Sequence, residues 1–311
     1  MRILIELPTW IGDSIMATPS IENIIKLFDA VEITLIGSVN SIEILKDHPK
    51  VVNTFILEKN IISSYKVCRK LGQFDLFFSF RNSFKAKLIK FSISSKKKYQ
   101  YNKTRYKKIH HQVEKYNHFV NNSLRINSNP SSLVLHSEKV KNKNSKNKLM
   151  GINPGASYGS AKRWYPEKFA DVAKGLSLDF DIIIFGGPGE IEIANNIESY
   201  LIQKGVKNYR NLAGLVDINK LVFQISKLDL FITGDSGPMH IASAMQVPTV
   251  SIFGPTKFTE TSQWMNKKST IVKKNLGCQP CMKRVCPLKH HDCMKLIKPS
   301  EVLDAVNSLN L

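Results

Sequence analysis

The chain has no apolar run near the roughly 18–20 residues that a membrane-spanning helix needs, so no helical span is expected among its 311 residues. The apolar stretch in residues 1–10 is too short for a signal peptide and lacks a small-residue cleavage site; it reads as a first strand, and the expected compartment is the cytoplasm. Acid is scarce. Twenty-five Asp and Glu stand against 45 Lys and Arg, for a formal net charge of +20. Such an excess speaks about partners rather than fold: nucleic acid, an anionic membrane face or a phosphorylated substrate would each match it. Residues 85–108 contain no acid at all and read either as a solvated loop or as a docking surface for a polyanion or anionic headgroups. There is no dense carboxylate cluster to suggest a catalytic metal. The glycine-rich loops lack the Gly-Lys-Ser/Thr ending of a Walker P-loop, and Ser236 is outside any Gly-x-Ser-x-Gly elbow.

Cysteine is sparse and unevenly placed. Five in a cytosolic chain argue against a disulfide framework. Cys68 lies alone in a helical pattern and reads as core, whereas Cys278, Cys281, Cys286 and Cys293 cluster with His290 and His291 in the last interval. Four thiolates could close a structural zinc site, but the second spacing is not that of the common zinc modules, and a compact reduced loop is the competing reading.

What is present is an alternation of strand and helix. Residues 2–7, 31–36, 51–57 and 74–80 are apolar strands; 14–28 and 41–46 carry helical periodicity, and a further helix separates the last two strands. Residues 139–148 are polar and low in complexity, a linker. The pattern then restarts, with strands at 149–153, 181–185, 228–233 and 249–253, and helices at 166–176, 189–203, 217–226, 238–245 and 300–309, the last with a serine cap. Near-continuous apolar strands between helices predict parallel sheets covered on both faces. The expected division is residues 1–145 and 146–311, with the last helix able to pack back on the first domain and a ligand cleft between the two sheets.

In such sheets ligands bind beyond the carboxyl ends of the strands, and four unusual loops fall there. Asp13 is the single carboxylate of residues 8–14 and could take a proton from a hydroxyl, or cap the next helix. Residues 153–164 are rich in Gly and Ser, and Lys162 and Arg163 add charge suited to a diphosphate. Residues 186–190 form a Gly-Gly-Pro-Gly turn ending in Glu190. In residues 228–240 a strand runs into Gly-Asp-Ser-Gly and a helix opens at Pro238; the unpaired first-turn amides and the helix dipole suit an anion, unless Asp235 or Ser236 merely caps the helix.

These motifs together resemble the lipopolysaccharide heptosyltransferases, glycosyltransferases of family 9 with the two-Rossmann-domain GT-B fold. The resemblance rests on PTWIGDSIMATP (8–19), NPGASYGSAKRWYPEKFA (153–170), GDSGPMHIASA followed by PTVSIFGPT (234–256) and CQPCMKRVCPLKHHDCM (278–294), four motifs in order over nearly the whole chain. The PGASYGSAKRW form is most similar to the type II branch, which adds the second inner-core heptose. The resemblance implies an ADP-heptose donor, a heptosyl-Kdo-lipid A acceptor, and an inverting transfer without cofactor or catalytic metal. It implies Asp13 as base and Lys162 as catalytic contact. Donor contacts would be Ser157, Lys162, Glu190, Asp235, Ser236, Gly237, Pro238, Met239 and His240. Acceptor contacts are read as Thr9, Trp10, Gly12, Arg81, Lys97, Lys98 and Arg105. A monomer touching the cytoplasmic face of the inner membrane follows, with no nucleic acid partner. The alternatives are a type I or III heptosyltransferase, a sugar-nucleotide epimerase, and a basic nucleic-acid-binding protein with Tyr99, Tyr101 and Tyr106 among its lysines.

Overall fold

The computed structural model describes residues 1–136 and 147–311. Most of the expected linker, residues 139–146, lies outside the described residues; Lys148 already opens a strand. The chain divides into two units, Met1–Ser137 and Glu138–Leu311. Among the described residues no helix is long and apolar enough to cross a membrane.

Unit 1 is a five-stranded parallel sheet: β1 (Arg2–Glu6), β2 (Glu32–Gly37), β3 (Val51–Ile56), β4 (Gln73–Ser79) and β5 (Ser94–Gln100), in the order β3-β2-β1-β4-β5. Ile3 pairs with Ile33 on one side and Leu76 on the other. Ile3, Leu4 and Ile5 are all fully buried, as a strand covered on both faces requires; each such side chain contributes about 1.5–3 kcal/mol. The chain builds β2 and β3 on one side of β1, then reverses to place β4 and β5 on the other. This puts a topological switch point at the carboxyl ends of β1 and β4, where ligand crevices form.

Unit 2 repeats the scheme with β6 (Lys148–Asn153), β7 (Phe180–Ile184), β8 (Tyr209–Asn211), β9 (Leu230–Gly234), β10 (Thr249–Phe253) and β11 (Ser269–Lys273), in the order β11-β10-β9-β6-β7-β8. Its switch point falls between β6 and β9, which pair from Met150–Leu230 to Asn153–Thr233. The core beneath it includes Ile152, Trp164, Phe169, Ile182, Ile232 and Ile252.

Several expectations change in detail. The helix predicted over 14–28 is two helices, Ile11–Met16 and Thr18–Lys26, the second opened by Pro19; proline has no N–H to continue the first helix. The acid-free stretch 85–108 is not one loop: it holds most of helix Phe84–Ser92 and all of β5. β5 tolerates Lys96, Lys97 and Lys98 because it is the sheet edge, where charge also discourages further pairing. The last helix, Pro299–Asn307, starts at Lys298 without a side-chain cap; Glu301 accepts the Lys298 N–H at 2.8 Å, so Ser300 is not the cap. It packs on helix Pro166–Leu176 and on β11 of its own unit.

Candidate active site

In unit 1 the loop after β1 is held from beneath. Ser14 Oγ donates to the carbonyls of Pro8 and Trp10 at 3.2 and 3.1 Å, Ser41 Oγ to Pro8 at 2.5 Å and Ser38 Oγ to Thr9 at 3.0 Å. Thr9 and Trp10 are thereby displayed outward, and both are exposed. Asp13 is in the first turn of helix Ile11–Met16; the helix N-cap is Trp10 and no side chain caps it, so the capping reading is corrected. Gly12 is buried inside that helix rather than presented by a loop. Helix Ile11–Met16 packs on helix Gln112–Leu124. From there Tyr116, buried, has its hydroxyl pushed well above its ordinary pKa by burial and then by the negative charge of Asp13.

Sequence reasoning missed Glu6. This carboxylate closes β1 at the switch point with no exposed surface; it accepts Ser79 Oγ at 2.6 Å and lies 3.4 Å from Arg81 Nη1. Burial raises its pKa, against the opposing effects of Ser79, Arg81 and Lys85. A lone acid ending an apolar strand, RILIE, was the available signal. Because the folded protein favours the protonated acid, this group adds stability that is full below its unfolded pKa, about 4.3, and is lost as pH rises through the folded value. Chemical denaturation of wild type and Glu6→Gln at pH 5 and 7.5 is expected to show a smaller decline for the variant. An identical decline would assign the pH dependence to other groups.

Arg81 therefore joins the Asp13 end of unit 1 through Glu6. Lys97, Lys98 and Arg105 do not. They line a separate hollow of about 1080 Å³ bordered by Met1, Phe28, Lys96 and Arg125, to which neither residues 8–13 nor Arg81 contribute. The tyrosines among the lysines are structural. Tyr101 and Tyr106 are buried and stacked on each other at 5.8 Å, and Tyr99 stacks on Phe78 at 5.0 Å. Rings used this way do not serve as base-stacking platforms.

In unit 2 the loops after β6 and β9 meet. Lys162 Nζ donates to Asp235 Oδ2 at 2.6 Å and to the Asp235 carbonyl at 3.1 Å; the side chains are 12% and 6% exposed. Thr256 Oγ1 donates to the same Oδ2 at 2.6 Å. Two of the three ammonium protons are thus engaged, and the group lies 4.9 Å from the centre of the Tyr158 ring. A Cβ on Gly234 would stand 3.3 Å from the Lys162 carbonyl, which explains a glycine at the strand end. Helix Gly237–Ala244 has Ser236 at its N-cap without a side-chain cap. Ser236 Oγ instead bonds Thr233 Oγ1 at 3.1 Å and Asn153 Nδ2 at 3.4 Å. Neither expected capping role holds, and the first-turn amides have no side-chain oxygen from Ser236.

Glu190 closes a third loop over the second. Its Oε2 accepts the Gly187 N–H at 2.8 Å, and its carboxyl fills the place a Gly155 Cβ would take, 2.0 Å from the carboxyl carbon. Ser157 is exposed on the same loop as Gly155. Of residues 235–240, Ser236, Gly237 and Pro238 keep partial exposure; Asp235 and His240 are buried, and Met239 is wholly within the core, with no surface for a ligand.

All five cysteines are free thiols. Cys68 is core, as expected, and its thiol is pushed up to about 11 by burial and the charge of Glu6. Cys278, Cys281, Cys286 and Cys293 line one hollow of about 20 Å³ with His290 and His291. Burial and the neighbouring thiols push Cys293 up to about 11. A tetrahedral zinc site has Zn–S bonds of ~2.3 Å, which would draw the sulfurs within 4 Å of each other. Among the described residues the group with three ligand-type atoms within 4.8 Å is Glu22, His48 and His136, not these cysteines. The zinc expectation has no support in this arrangement. At the other group His48 Nδ1 accepts the Lys50 N–H at 3.0 Å, so its proton sits on Nε2, 2.9 Å from Glu22 Oε1. That hydrogen bond is the main reason the Glu22 pKa is lowered.

Two parallel α/β units, each with special loops at its own switch point, define the Rossmann-like architecture of GT-B glycosyltransferases. The chain belongs to glycosyltransferase family 9 (heptosyltransferase), whose model matches residues 65–291. It is 43% identical to the lipooligosaccharide heptosyltransferase 2 of Campylobacter jejuni subsp. jejuni serotype O:2 over 99% of this chain and 98% of that protein. It is 30% identical to the Escherichia coli lipopolysaccharide heptosyltransferase 2 over 52% of this chain and 47% of that one. Among solved structures, E. coli ADP-heptose lps heptosyltransferase II matches with a TM-score of 0.80 and 23% identity, covering 99% of this chain and 98% of that one. E. coli heptosyltransferase WaaC with ADP matches with a TM-score of 0.77 and 13% identity over 99% of this chain and 100% of that one. The protein is a glycosyltransferase.

Proposed function

We propose that the chain moves L-glycero-D-manno-heptose from ADP-heptose to the first heptose of a Kdo-lipid A inner core, with inversion. The observation that carries this reading is the Lys162–Asp235–Thr256 cluster at the switch point of unit 2, in a chain similar end to end to a lipooligosaccharide heptosyltransferase 2. In the reading, Asp13 takes the proton of the acceptor hydroxyl as its oxygen attacks the anomeric carbon. The bond from that carbon to the diphosphate oxygen breaks, and ADP leaves with the electron pair. The third Lys162 N–H, the amides at Ser236 and Gly237 and the dipole of the following helix offset the growing charge. Ser157 and Glu190 contact the donor, with Glu190 towards its adenosine. Thr9, Trp10 and Arg81 present the acceptor beside Asp13. Unit 1 serves as the acceptor domain and unit 2 as the donor domain, and the protein acts as a monomer on the cytoplasmic face of the inner membrane.

Mass spectrometry of a reaction containing ADP-heptose and mono-heptosylated Kdo-lipid A tests the reaction itself. One added heptose with release of ADP is expected. Conversion of the nucleotide sugar without acceptor would indicate an epimerase.

The hollow lined by Lys97, Lys98 and Arg105 is assigned to the phosphorylated acceptor or the membrane face. Exposed charges are screened over ~8–10 Å at moderate ionic strength. The KM for lipid acceptor is therefore expected to rise several-fold between about 50 and 300 mM salt, and less steeply in Lys97→Glu/Lys98→Glu. A KM that does not change with salt would remove the hollow from acceptor or membrane binding.

A further inference from the structure

The cysteine loop touches the proposed donor site through backbone groups that no motif announced. Ala161, the residue before Lys162, has both of its polar backbone groups held by this loop. Its N–H donates to the Arg284 carbonyl at 3.0 Å, and its carbonyl lies 2.9 Å from His291 Nε2. A carbonyl can only accept, so Nε2 carries the proton. In the neutral imidazole Nδ1 then accepts the Tyr165 hydroxyl at 3.2 Å. Tyr158 OH donates to the Met282 carbonyl at 2.7 Å, and a Cβ on Gly159 would come within 2.3 Å of the Arg284 carbonyl oxygen.

The same loop reaches the other partner of Asp235. Gln279 Nε2 donates to the Gly254 carbonyl at 2.6 Å, and the Met282 N–H donates to the Pro255 carbonyl at 2.9 Å. Thr256, the next residue, donates to Asp235. Residues 279–291 thus hold the backbone beside both side chains that bond the Asp235 carboxylate. His291 does so from a left-handed backbone conformation, φ 56°, which is uncommon for a residue with a Cβ and persists only where its surroundings determine it.

We propose that His291 is a positioning residue for Lys162: its imidazole locks the Ala161 peptide, so that the ammonium reaches Asp235 and keeps one N–H free for the leaving diphosphate. The last clause rests on the donor reading above; the clamp itself does not. Two double-mutant cycles between His291→Ala and Lys162→Ala separate them, since residues acting through one another are non-additive. In the first, denaturant unfolding of the full chain is expected to show that Lys162→Ala destabilises less when His291 is already Ala. Additive effects would overturn the proposal, whatever the substrate. In the second, ADP affinity is read by calorimetry. His291→Ala is expected to weaken ADP about tenfold in the wild-type background and not at all in Lys162→Ala. A weakening of equal size in both backgrounds would mark His291 as merely structural. An unchanged ADP affinity in Lys162→Ala would sink the donor reading while leaving the clamp to the unfolding cycle. Should His291→Ala not fold, Tyr165→Phe removes only the bond to Nδ1 and is expected to show the same non-additivity at smaller size. His291→Asn, which tolerates the left-handed backbone but cannot span to both partners, is expected not to restore the wild-type affinity.

Discussion

Asp13→Asn is expected to lower kcat on lipid acceptor by about 10²- to 10⁴-fold, the usual contribution of a general base, while ADP affinity stays near the wild-type value. The asymmetry follows from where the groups lie. Asp13 is in the first turn of a helix in unit 1, whereas every proposed donor contact is in unit 2. The substitution is nearly isosteric, and Ser14, Ser38 and Ser41 hold the backbone around it. An amide in that place can still orient a hydroxyl but cannot accept its proton. Loss of the charge also leaves a second mark. Tyr116 is raised by burial first and by Asp13 second, so in Asp13→Asn its phenol is expected to titrate lower than in wild type, though still above an exposed tyrosine. Measured kcat, ADP binding and ultraviolet titration of the tyrosines check the three consequences. Loss of ADP affinity with turnover intact would remove Asp13 from proton transfer.

The strand ends were legible because their chemistry is local. In β1, β6 and β9 an apolar run stops at a group of small or special residues, and a buried parallel strand leaves little other reading of that pattern. The resemblance then supplied roles. Features that depend on distant pairing were not legible. β5 reads SSKKKYQ, which carries no apolar period, because an edge strand needs only its backbone to pair and can leave its lysines in water. Tyr101 and Tyr106 look like a surface interleaved with charge, yet they close the core against helix Gln112–Leu124. Asp13 and Ser236 were each open to being caps, and only the structure shows that both helices start without a side-chain cap. Glu6 needed a partner 73 positions away, Ser79, before its burial made chemical sense. The link from His291 to Ala161 spans 130 positions, with no periodicity to connect them. Met239 stands inside the GDSGPMHIASA motif and belongs to the core, since a helix that opens toward a ligand must still bury its inner face.

Lys162→Ala is expected to lower both the stability and the activity of the protein. Removing one member of a buried ion pair costs about 3–5 kcal/mol, because the remaining charge loses its partner without regaining water. Here that charge is Asp235, 6% exposed and left with the Thr256 hydroxyl. For a unit of this size the cost corresponds to a fall in unfolding midpoint of roughly 6–20 °C. Asp235→Asn should cost less. Lys162 is the more exposed of the two and retains the Asp235 carbonyl and the Tyr158 ring. Turnover should fall by about 10²–10³-fold in Lys162→Ala, the scale for deleting one preorganised group that meets developing negative charge. Lys162→Arg should recover little of it. A planar guanidinium cannot reproduce a point charge that bonds a carboxylate oxygen and a backbone carbonyl of the same residue while turning a third N–H elsewhere. The two readouts are separable. Stability lost with turnover kept per folded molecule would leave Lys162 as a scaffold for Asp235 alone. Both kept at wild-type values would mean that the ion pair organises neither the fold nor the reaction.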